Sequence, residues 1–228
     1  APLALDGEDL ALLRVSIDGA ELGAADYQLD AEHLTLLDVP DTFLLETVVR
    51  IDPAANTHLS GLYKSSGVYC TQCEAEGFRR ITFFQDRPDV MTVFRVRVEA
   101  PKESCPVLLS NGNLVESGEL EGGRHFAVWD DPFKKPSYLF ALVAGDLGHV
   151  HGTFTTMGGT EVDLYVYSEH DNVARLGHSL ACLRSAMAWD EKTFGREYDL
   201  NIYNIVAVND FNMGAMENKS LNVFNSAR

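Results

Sequence analysis

Residues 198–226 read YDLNIYNIVAVNDFNMGAMENKSLNVFNS. The opening run, rich in Ile, Val, Leu and Tyr, predicts a buried β-strand. The pentapeptide Gly-Ala-Met-Glu-Asn at 214–218 then places a carboxylate among small, apolar and amide side chains, which is unusual chemistry for a strand. Because side chains alternate between the two faces of an extended backbone, Ala215 and Glu217 are predicted to share one face, with the methionine and the asparagine on the other.

The residues before this strand have the spacing of an amphipathic helix. Apolar side chains recur at intervals typical of one helix face, at Leu176, Leu180, Leu183, Met187 and Phe194. Gly195 is well suited to end that helix, because glycine readily adopts the left-handed conformation of a helix C-terminus. Further upstream, TFTTMGGTEVDLYVYSEH predicts a β-hairpin around Gly158 and Gly159. Strand, helix and strand together predict an α+β domain.

The chain up to about residue 146 has the pattern of many short strands. Runs such as LALLRVSIDG, FLLETVVRI, RRITFFQ and VFRVRVEA stand between clusters of Gly, Asn and Pro. Asn111-Gly112 and residues 121–123 are predicted to form hairpin turns. We therefore expect a mainly β fold, with a β-sandwich or saddle domain at 1–146 and the beginning of an α+β domain at 147–228.

The composition excludes several classes of protein. With 46% hydrophobic residues the chain resembles an ordinary globular protein rather than a disordered one. The formal net charge of −16 argues against a nucleic-acid partner, whose phosphates would be repelled. No apolar run approaches the length of a membrane span, and the N-terminal residues lack the pattern of a signal peptide, so we expect no membrane partner.

The four cysteines, Cys70, Cys73, Cys105 and Cys182, do not form a recognisable metal or redox motif. Cys70 and Cys73 make one C-x-x-C pair, but no second pair stands at the spacing of a structural zinc site. The residues after Cys73 do not open a helix, as they would in a thioredoxin-like motif. We expect four free thiols in a reducing compartment.

The pentapeptide has the chemistry of a place where another chain can lie. Gly214 and Ala215 are small and leave the backbone accessible, so an extended peptide could pair with it as an added strand. The Glu217 carboxylate would then suit the positive α-amino group of that peptide. The structural alternative is a bulged edge strand with an incidental surface glutamate.

A second segment carries related chemistry. Gln72 and Glu74 lie two residues apart, so both side chains could point the same way in an extended backbone. Two carboxylates and an amide from these distant segments could together bind a cationic amine. Asp86-Arg87-Pro88, a few residues later, is a plausible helix start.

These two segments carry a resemblance to a known family. Residues 214–218 are similar to the exopeptidase signature of the zinc aminopeptidases of the aminopeptidase N type, which are gluzincin metallopeptidases. Residues 72–79, QCEAEGFR, resemble the second amine-binding segment of that family. DRPDV at 86–90 and FNMGAMENK at 211–219 resemble its bacterial cytosolic members more than the animal ectoenzymes, which implies a cytoplasmic location. The resemblance covers essentially the whole chain and implies that residues 147–228 begin a thermolysin-like catalytic domain.

The resemblance implies a metalloaminopeptidase that removes N-terminal amino acids from peptides with a free N-terminus. Glu217 and Glu74 would hold the substrate α-amine, and the peptide bond between Glu74 and Ala75 would be cis. Met213 would line the pocket for the first side chain, since a flexible thioether adapts to different shapes. The residues implied in substrate binding are Gln72, Glu74, Met213, Gly214, Ala215, Met216, Glu217 and Asn218.

The resemblance also implies a zinc ion held by an H-E-x-x-H motif and a later glutamate. No H-E-x-x-H occurs in the 228 residues. His149-Val150-His151 is interpreted as structural, and His170 and His178 are assigned no metal role. We therefore expect no catalytic residue, metal ligand or cofactor in this chain, which is interpreted as a fragment whose zinc ligands lie beyond Arg228.

Two alternatives are compatible with the sequence. The intact protein could be a non-catalytic relative that uses the same β domain and amine-binding residues to bind peptides or proteins. It could also be a hydrolase of the same clan with a different substrate, although the unmodified pentapeptide favours an aminopeptidase. We expect the intact protein to be a monomer.

Overall fold

The structure is a computed structural model that describes residues 1–227, and most of its regular structure is β-strand. The mainly β fold predicted from the sequence is therefore confirmed. The chain divides into two compact units. The first comprises Ala1–Tyr63, Thr71–Thr92 and Lys135–Leu139, and the second comprises Lys64–Cys70, Val93–Lys134 and the residues from Phe140 onward. The domain boundary expected at residues 146 and 147 stays a prediction.

The first unit contains two antiparallel sheets of three strands each. Their strands are β1 Leu3–Asp6, β2 Ala11–Ile17, β3 Ala20–Glu21, β4 Tyr27–Leu29, β5 His33–Leu36 and β6 Leu45–Arg50. One sheet has the order β1-β5-β4 and the other β3-β2-β6. Apolar side chains from these strands and from the later segment of the unit form a buried cluster of Leu5, Val15, Leu34, Leu36 and Phe83.

Two strands, β7 Gly61–Ser65 and β8 Val68–Gln72, precede a short 3₁₀ helix at Phe78–Arg80. The strand expected over RRITFFQ is wrong, because this segment forms the helix, a turn and an isolated bridge between Phe84 and Asp6. The physical reason is Asp86, which directly follows the segment. Its carboxylate accepts hydrogen bonds from both the backbone amide and the side chain of Arg79, and these bonds favour a compact turn over an extended backbone.

Five further strands are β9 Thr92–Pro101, β10 Val107–Ser110, β11 Asn113–Leu120, β12 Arg124–Lys135 and β13 Leu142–Gly145. The first, third and fourth form a sheet of order β11-β12-β9, while β13 pairs with both β10 and β8. A 3₁₀ turn at Glu121–Gly123 joins β11 to β12 and confirms the hairpin predicted there. Another 3₁₀ helix covers Ser137–Leu139.

The Asn111-Gly112 hairpin is a wrong prediction. Strand β10 pairs with β13 and strand β11 with β12, so this dipeptide connects two different sheets. Gly112 is required for another reason, since its φ is +94° and a Cβ atom would lie 2.1 Å from the carbonyl oxygen of Asp130. The dipeptide therefore turns the chain without pairing the strands that flank it.

The remaining strands are β14 Gly148–Thr155, β15 Glu161–Ser168, β16 Ile202–Val208, β17 Ala215–Met216 and β18 Leu221–Asn225. They form one five-stranded sheet of order β14-β15-β16-β18-β17. β14 and β15 make the predicted hairpin, and β15, β16 and β18 run parallel. A 3₁₀ helix at His170–Arg175 and helix α1 at Leu176–Phe194 supply the crossover that the parallel pair β15–β16 needs.

Helix α1 packs its apolar stripe on the sheet, as the spacing predicts. The buried cluster consists of Val162, Leu164, Val166, Leu176, Leu180, Leu183 and Met187. Gly195 ends the helix with φ 63°, and its amide donates to the carbonyl of Glu191 at 2.9 Å. Phe194 departs from the expected stripe, because it is 62% exposed and makes an edge contact with the Trp189 ring instead. None of the helices in residues 1–227 combines the length and apolar character needed to cross a membrane.

Candidate functional site

The pentapeptide forms a very short edge strand. β17 contains only Ala215 and Met216, and it pairs antiparallel with β18 at the end of the five-stranded sheet. The carbonyl of Gly214 accepts a hydrogen bond from the Asn225 amide at 3.0 Å. β17 is therefore the last strand of the sheet and is hydrogen-bonded to β18 on one side. An added strand could pair with it on the opposite side.

The side chains of the pentapeptide alternate as the sequence predicts. Met216 has no exposed surface and Asn218 is 1% exposed, whereas Ala215 and Glu217 are exposed. The Glu217 carboxylate is thus available to a ligand. The side chains of Met216 and Asn218 face the protein interior, so any substrate contact that they make would come from their backbone.

The segment after Glu217 is fixed by residues that sequence reasoning did not assign to the site. The Asn111 side-chain amide donates to the carbonyl of Lys219 at 2.9 Å, and the amide of Gly112 donates to the Ser220 hydroxyl at 2.6 Å. Lys219 also pairs with Asp199 at 2.7 Å. The signal in the sequence was the dipeptide Asn111-Gly112. The Asn111 side-chain amide and the Gly112 backbone amide hold the segment after Glu217, and the positive φ of Gly112 turns the chain so that they can do so.

Met213 lies in the loop that leads into β17 and is 38% exposed. The start of that loop is anchored within the same unit, because the Ser65 hydroxyl donates to the Asp210 carboxylate and accepts from the Asp210 amide, each at 2.9 Å. Phe211 is buried next to this anchor. The exposed thioether is thereby placed on a loop whose base is held.

The second predicted segment belongs to the first unit and forms a turn rather than an extended strand. Gln72 ends β8 and is 1% exposed, whereas Glu74 is exposed, so the expectation that both side chains point the same way is wrong. The amide of Gly77 donates to the carbonyl of Cys73 at 2.9 Å and closes the turn. The peptide bond between Glu74 and Ala75 is cis, which confirms what the resemblance implied.

Close packing explains why glycine follows this turn. A Cβ atom on Gly77 would lie 2.4 Å from the carbonyl oxygen of Gln72 and 2.9 Å from the amide nitrogen of Gly61. Any larger residue would push these backbone groups apart. The turn that presents Glu74 is therefore held tightly at its C-terminal end.

Asp86 is a supporting residue that the sequence did not reveal, since it was interpreted as a possible helix start. It is 3% exposed, and one carboxylate oxygen accepts hydrogen bonds from the Arg79 backbone amide at 3.1 Å and from Nε at 3.2 Å. The other oxygen accepts from the Ser137 hydroxyl. Arg79 also reaches the exposed Glu76 carboxylate, 3.6 Å away. This network connects the helical turn after Glu74 to the interior of the first unit.

The cysteines are free, as expected. Cys70, Cys73 and Cys105 are buried and Cys182 is exposed. Burial raises the pKa of the Cys73 thiol far above its usual range, and the negative charge of Asp86 adds to that effect. Although Cys73 stands directly before Glu74, it is a protonated, inaccessible packing residue rather than a nucleophile.

Zinc does not fit the side chains of this part of the chain. In residues 1–227 no group of three or more His, Cys, Asp or Glu residues is placed to hold a metal ion. A structural or catalytic zinc site takes at least three such protein ligands. No step of metal chemistry is assigned to the described residues.

Comparison with known proteins gives consistent matches along the chain. Residues 14–139 match the peptidase M1 N-terminal domain, and residues 178–228 match the peptidase family M1 domain. Aminopeptidase N of Caulobacter vibrioides is 58% identical and aminopeptidase N of Escherichia coli 53% identical, each over 226 residues. Both alignments cover 99% of this chain but only 26% of the relative, so the chain spans about a quarter of these proteins.

A solved structure is similar over the same extent. The crystal structure of Legionella pneumophila aminopeptidase A in complex with aspartic acid superimposes with a TM-score of 0.94 at 36% sequence identity. The match covers 99% of this chain and 26% of that chain. The likeness therefore includes both of the segments that carry the exposed glutamates.

Proposed function

The chain belongs to peptidase family M1, and from this membership we propose that the whole protein is a zinc-dependent aminopeptidase that removes N-terminal amino acids from peptides. In this proposal the 228 residues bind and orient the substrate N-terminus. The names of the relatives at 53% and 58% identity favour this enzyme over a non-catalytic peptide-binding relative.

The observation that carries the proposal is the exposed Glu217 carboxylate at the end of an edge strand. A peptide that pairs with β17 as an added strand would run along an accessible backbone, since Gly214 and Ala215 are exposed and small. A carboxylate beyond that pairing stabilises an ammonium group by a charge-assisted hydrogen bond. Only a peptide with a free α-amine gains this interaction, so Glu217 would select the N-terminal residue.

Gln72 and Glu74 are proposed as the second part of the amine anchor. Glu74 is exposed on the turn that Gly77 and Asp86 hold, so its carboxylate is available while its backbone is fixed. Gln72 is buried at the end of β8 and would act mainly by positioning that turn. A turn whose backbone is already held favours binding, because little backbone entropy is lost when the amine docks.

The remaining parts of the proposal concern the whole protein. Its ligand is a peptide with a free N-terminus, and Met213 would line the pocket for the first side chain. Aspartic acid, the ligand of the similar Legionella structure, carries a free α-amino group of the kind proposed here. We propose that the zinc is held by residues outside this chain, that the protein acts as a monomer without nucleic acid or membrane partners, and that it is cytoplasmic.

The test uses the protein in its full length and two reporters that differ only at the amine. An aminoacyl reporter with a free α-amine should be hydrolysed, whereas the same reporter with an N-acetyl group should not be, because acetylation removes the charge that the glutamates bind. Equal hydrolysis of both reporters would contradict the amine anchor. Absence of hydrolysis, with binding of free-amine peptides retained, would instead support a non-catalytic peptide-binding protein.

A further inference from the structure

Glu217 lies in the second unit between two short pieces of backbone that are held in different ways. Before it, β17 is paired with β18 at the edge of the five-stranded sheet. After it comes a turn at 218–221, in which the Leu221 amide donates to the carbonyl of Asn218 at 3.1 Å. The position of the Glu217 carboxylate therefore depends both on the strand before it and on the turn after it.

The turn at 218–221 contains a residue in a strained conformation, Ser220. Its φ is 61°, in the left-handed region, which a residue with a side chain adopts at a cost in free energy and keeps only where surrounding contacts enforce it. Ser220 is 1% exposed, and its carbonyl accepts from the Asn204 amide of β16 at 2.8 Å. The conformation of the turn therefore depends on residues outside it.

The connection between β10 and β11 supplies further contacts to this turn. The side-chain nitrogen of Asn111 donates to the Lys219 carbonyl at 2.9 Å, while its side-chain oxygen accepts from the Ala141 amide at 2.7 Å. The Gly112 amide donates to the Ser220 hydroxyl at 2.6 Å. Asn111 is 1% exposed, so its amide joins the turn to the segment before β13 from a buried position. These contacts do not depend on a surface that other parts of the protein could cover.

Loss of the Asn111 amide would act on the turn and not on the strand before it. A buried or partly buried carbonyl that loses its donor keeps the cost of its desolvation, so the turn would move to find another partner for the Lys219 carbonyl. β17 would stay in place, because its ladder partner is β18. The expected result is a displacement of the Glu217 carboxylate relative to β17.

We propose that Asn111 is a positioning residue for substrate binding, which fixes the turn at 218–221 and thereby sets the direction of the Glu217 carboxylate. This inference rests on the proposed function, in which Glu217 binds the substrate α-amine. A displaced amine also misplaces the scissile bond, and such a misplacement can lower the rate about a hundredfold. Asn111 is buried and acts through Glu217 rather than on the substrate itself.

A double-mutant cycle in the full-length protein tests this coupling. Asn111→Ala should lower kcat/KM on an aminoacyl substrate about tenfold or more, with a rise in KM as well as a fall in kcat, because the anchor is displaced. In the Glu217→Gln background the same change should lower kcat/KM less than about twofold, since the anchor is already lost. A residue that only stabilises the fold would lower kcat by a similar factor in both backgrounds and leave KM unchanged.

Asn113→Ala is the matched control. Asn113 begins β11, and its side-chain oxygen accepts from the Asn201 amide at 2.8 Å rather than from the turn, so this variant should keep kcat/KM near the wild-type value. Circular dichroism verifies that each variant is folded. If Asn111→Ala does not fold, Asn111→Asp replaces it, because an ionised carboxylate still accepts from the Ala141 amide but cannot donate to the Lys219 carbonyl.

Three results would overturn the inference. Equal losses from Asn111→Ala in both backgrounds, with Glu217→Gln itself impaired, would show that Asn111 does not act through Glu217, and the amine anchor would stand. Wild-type activity of Glu217→Gln would remove the anchor and with it the role of Asn111. A loss in Asn113→Ala as large as that in Asn111→Ala would show that the effect is not specific to the contact with the turn.

Discussion

At the scale of single residues, burial separates groups that can meet a ligand from groups that hold them in place. Glu217 and Glu74 are exposed, while Met216 and Gln72 are almost completely buried. The alternation within the pentapeptide could be predicted from the sequence, because it follows from the geometry of an extended chain. The burial of Gln72 could not be predicted in this way, because this burial depends on the turn formed by the residues that follow Gln72.

Asp86 is the residue whose loss should most disturb the second segment. Asp86→Asn removes a buried charge that accepts from the Arg79 amide and guanidinium, and it leaves that guanidinium without its main partner. Breaking a buried pair on one side costs about 3 kcal/mol. We expect a loss of this size in the free energy of unfolding, measured by denaturant titration.

Asp89→Asn is the matched control. Asp89 also pairs with an arginine, Arg87, at 3.0 Å, but its side chain is 70% exposed and that of Arg87 is 60% exposed. Exposed pairs contribute only about 0–1 kcal/mol, so this variant should be nearly as stable as the wild type. Similar losses in the two variants would show that burial of Asp86 does not matter.

At the scale of elements, local patterns predicted helices and hairpins better than strand partners. Helix α1, its end at Gly195 and the β14–β15 hairpin follow from spacing and glycine, which are properties of neighbouring residues. The Asn111-Gly112 hairpin was mistaken because strand pairing is decided by distant residues, in this case Leu142–Gly145, the partner of β10. RRITFFQ has strand propensity that the hydrogen bonds to Asp86 override.

Two glycines, one inside helix α1 and one at its end, should respond to alanine in opposite directions. Gly195 has φ 63°, a conformation that costs an alanine about 1 kcal/mol, so Gly195→Ala should destabilise the protein. Gly177 lies within the helix, and a Cβ atom added to it would meet no atom within 4 Å, so Gly177→Ala should stabilise the protein by roughly 0.5–1 kcal/mol. The free energies of unfolding of both variants test this, and equal signs would contradict a helix that runs from Leu176 to Phe194.

At the scale of the whole molecule, the fold leaves three of its four thiols inaccessible. Cys70, Cys73 and Cys105 are buried, and burial raises the pKa of Cys73, so its reactive thiolate is scarce at neutral pH. Cys182 is exposed. An alkylating reagent should therefore modify one thiol per native chain and all four after denaturation.

The resistance of Cys73 to alkylation extends this prediction. A thiol reacts as its thiolate, and burial raises the pKa of Cys73 far above its usual range. Cys73 should therefore stay unmodified in the folded chain even when the pH is raised to about 8.5, where an ordinary thiol is half ionised. Mass spectrometry of tryptic peptides identifies the modified residue, and rapid labelling of Cys73 in the folded chain would refute its burial.

Some features of the candidate site could be predicted from the sequence, and others depend on residues far apart in the chain. The carboxylate of Glu217 and its exposed face follow from the pentapeptide itself, whereas the cis bond after Glu74 was implied only by the family resemblance. Asn111 was recognisable as a turn residue, but its hydrogen bond to Lys219 joins positions 108 residues apart. Such long-range support has no local signature.

The central proposal is that Glu217 anchors the substrate α-amine, and a comparison of two glutamate variants in the full-length protein tests it most directly. Glu217→Gln keeps the shape but loses the charge, and the displaced amine misplaces the scissile bond, so kcat/KM on an aminoacyl substrate should fall roughly a hundredfold. Glu76→Gln removes only a surface ion pair, 3.6 Å from Arg79 and 69% exposed, and should leave kcat/KM near the wild-type value. If both variants keep wild-type activity, Glu217 is not the anchor.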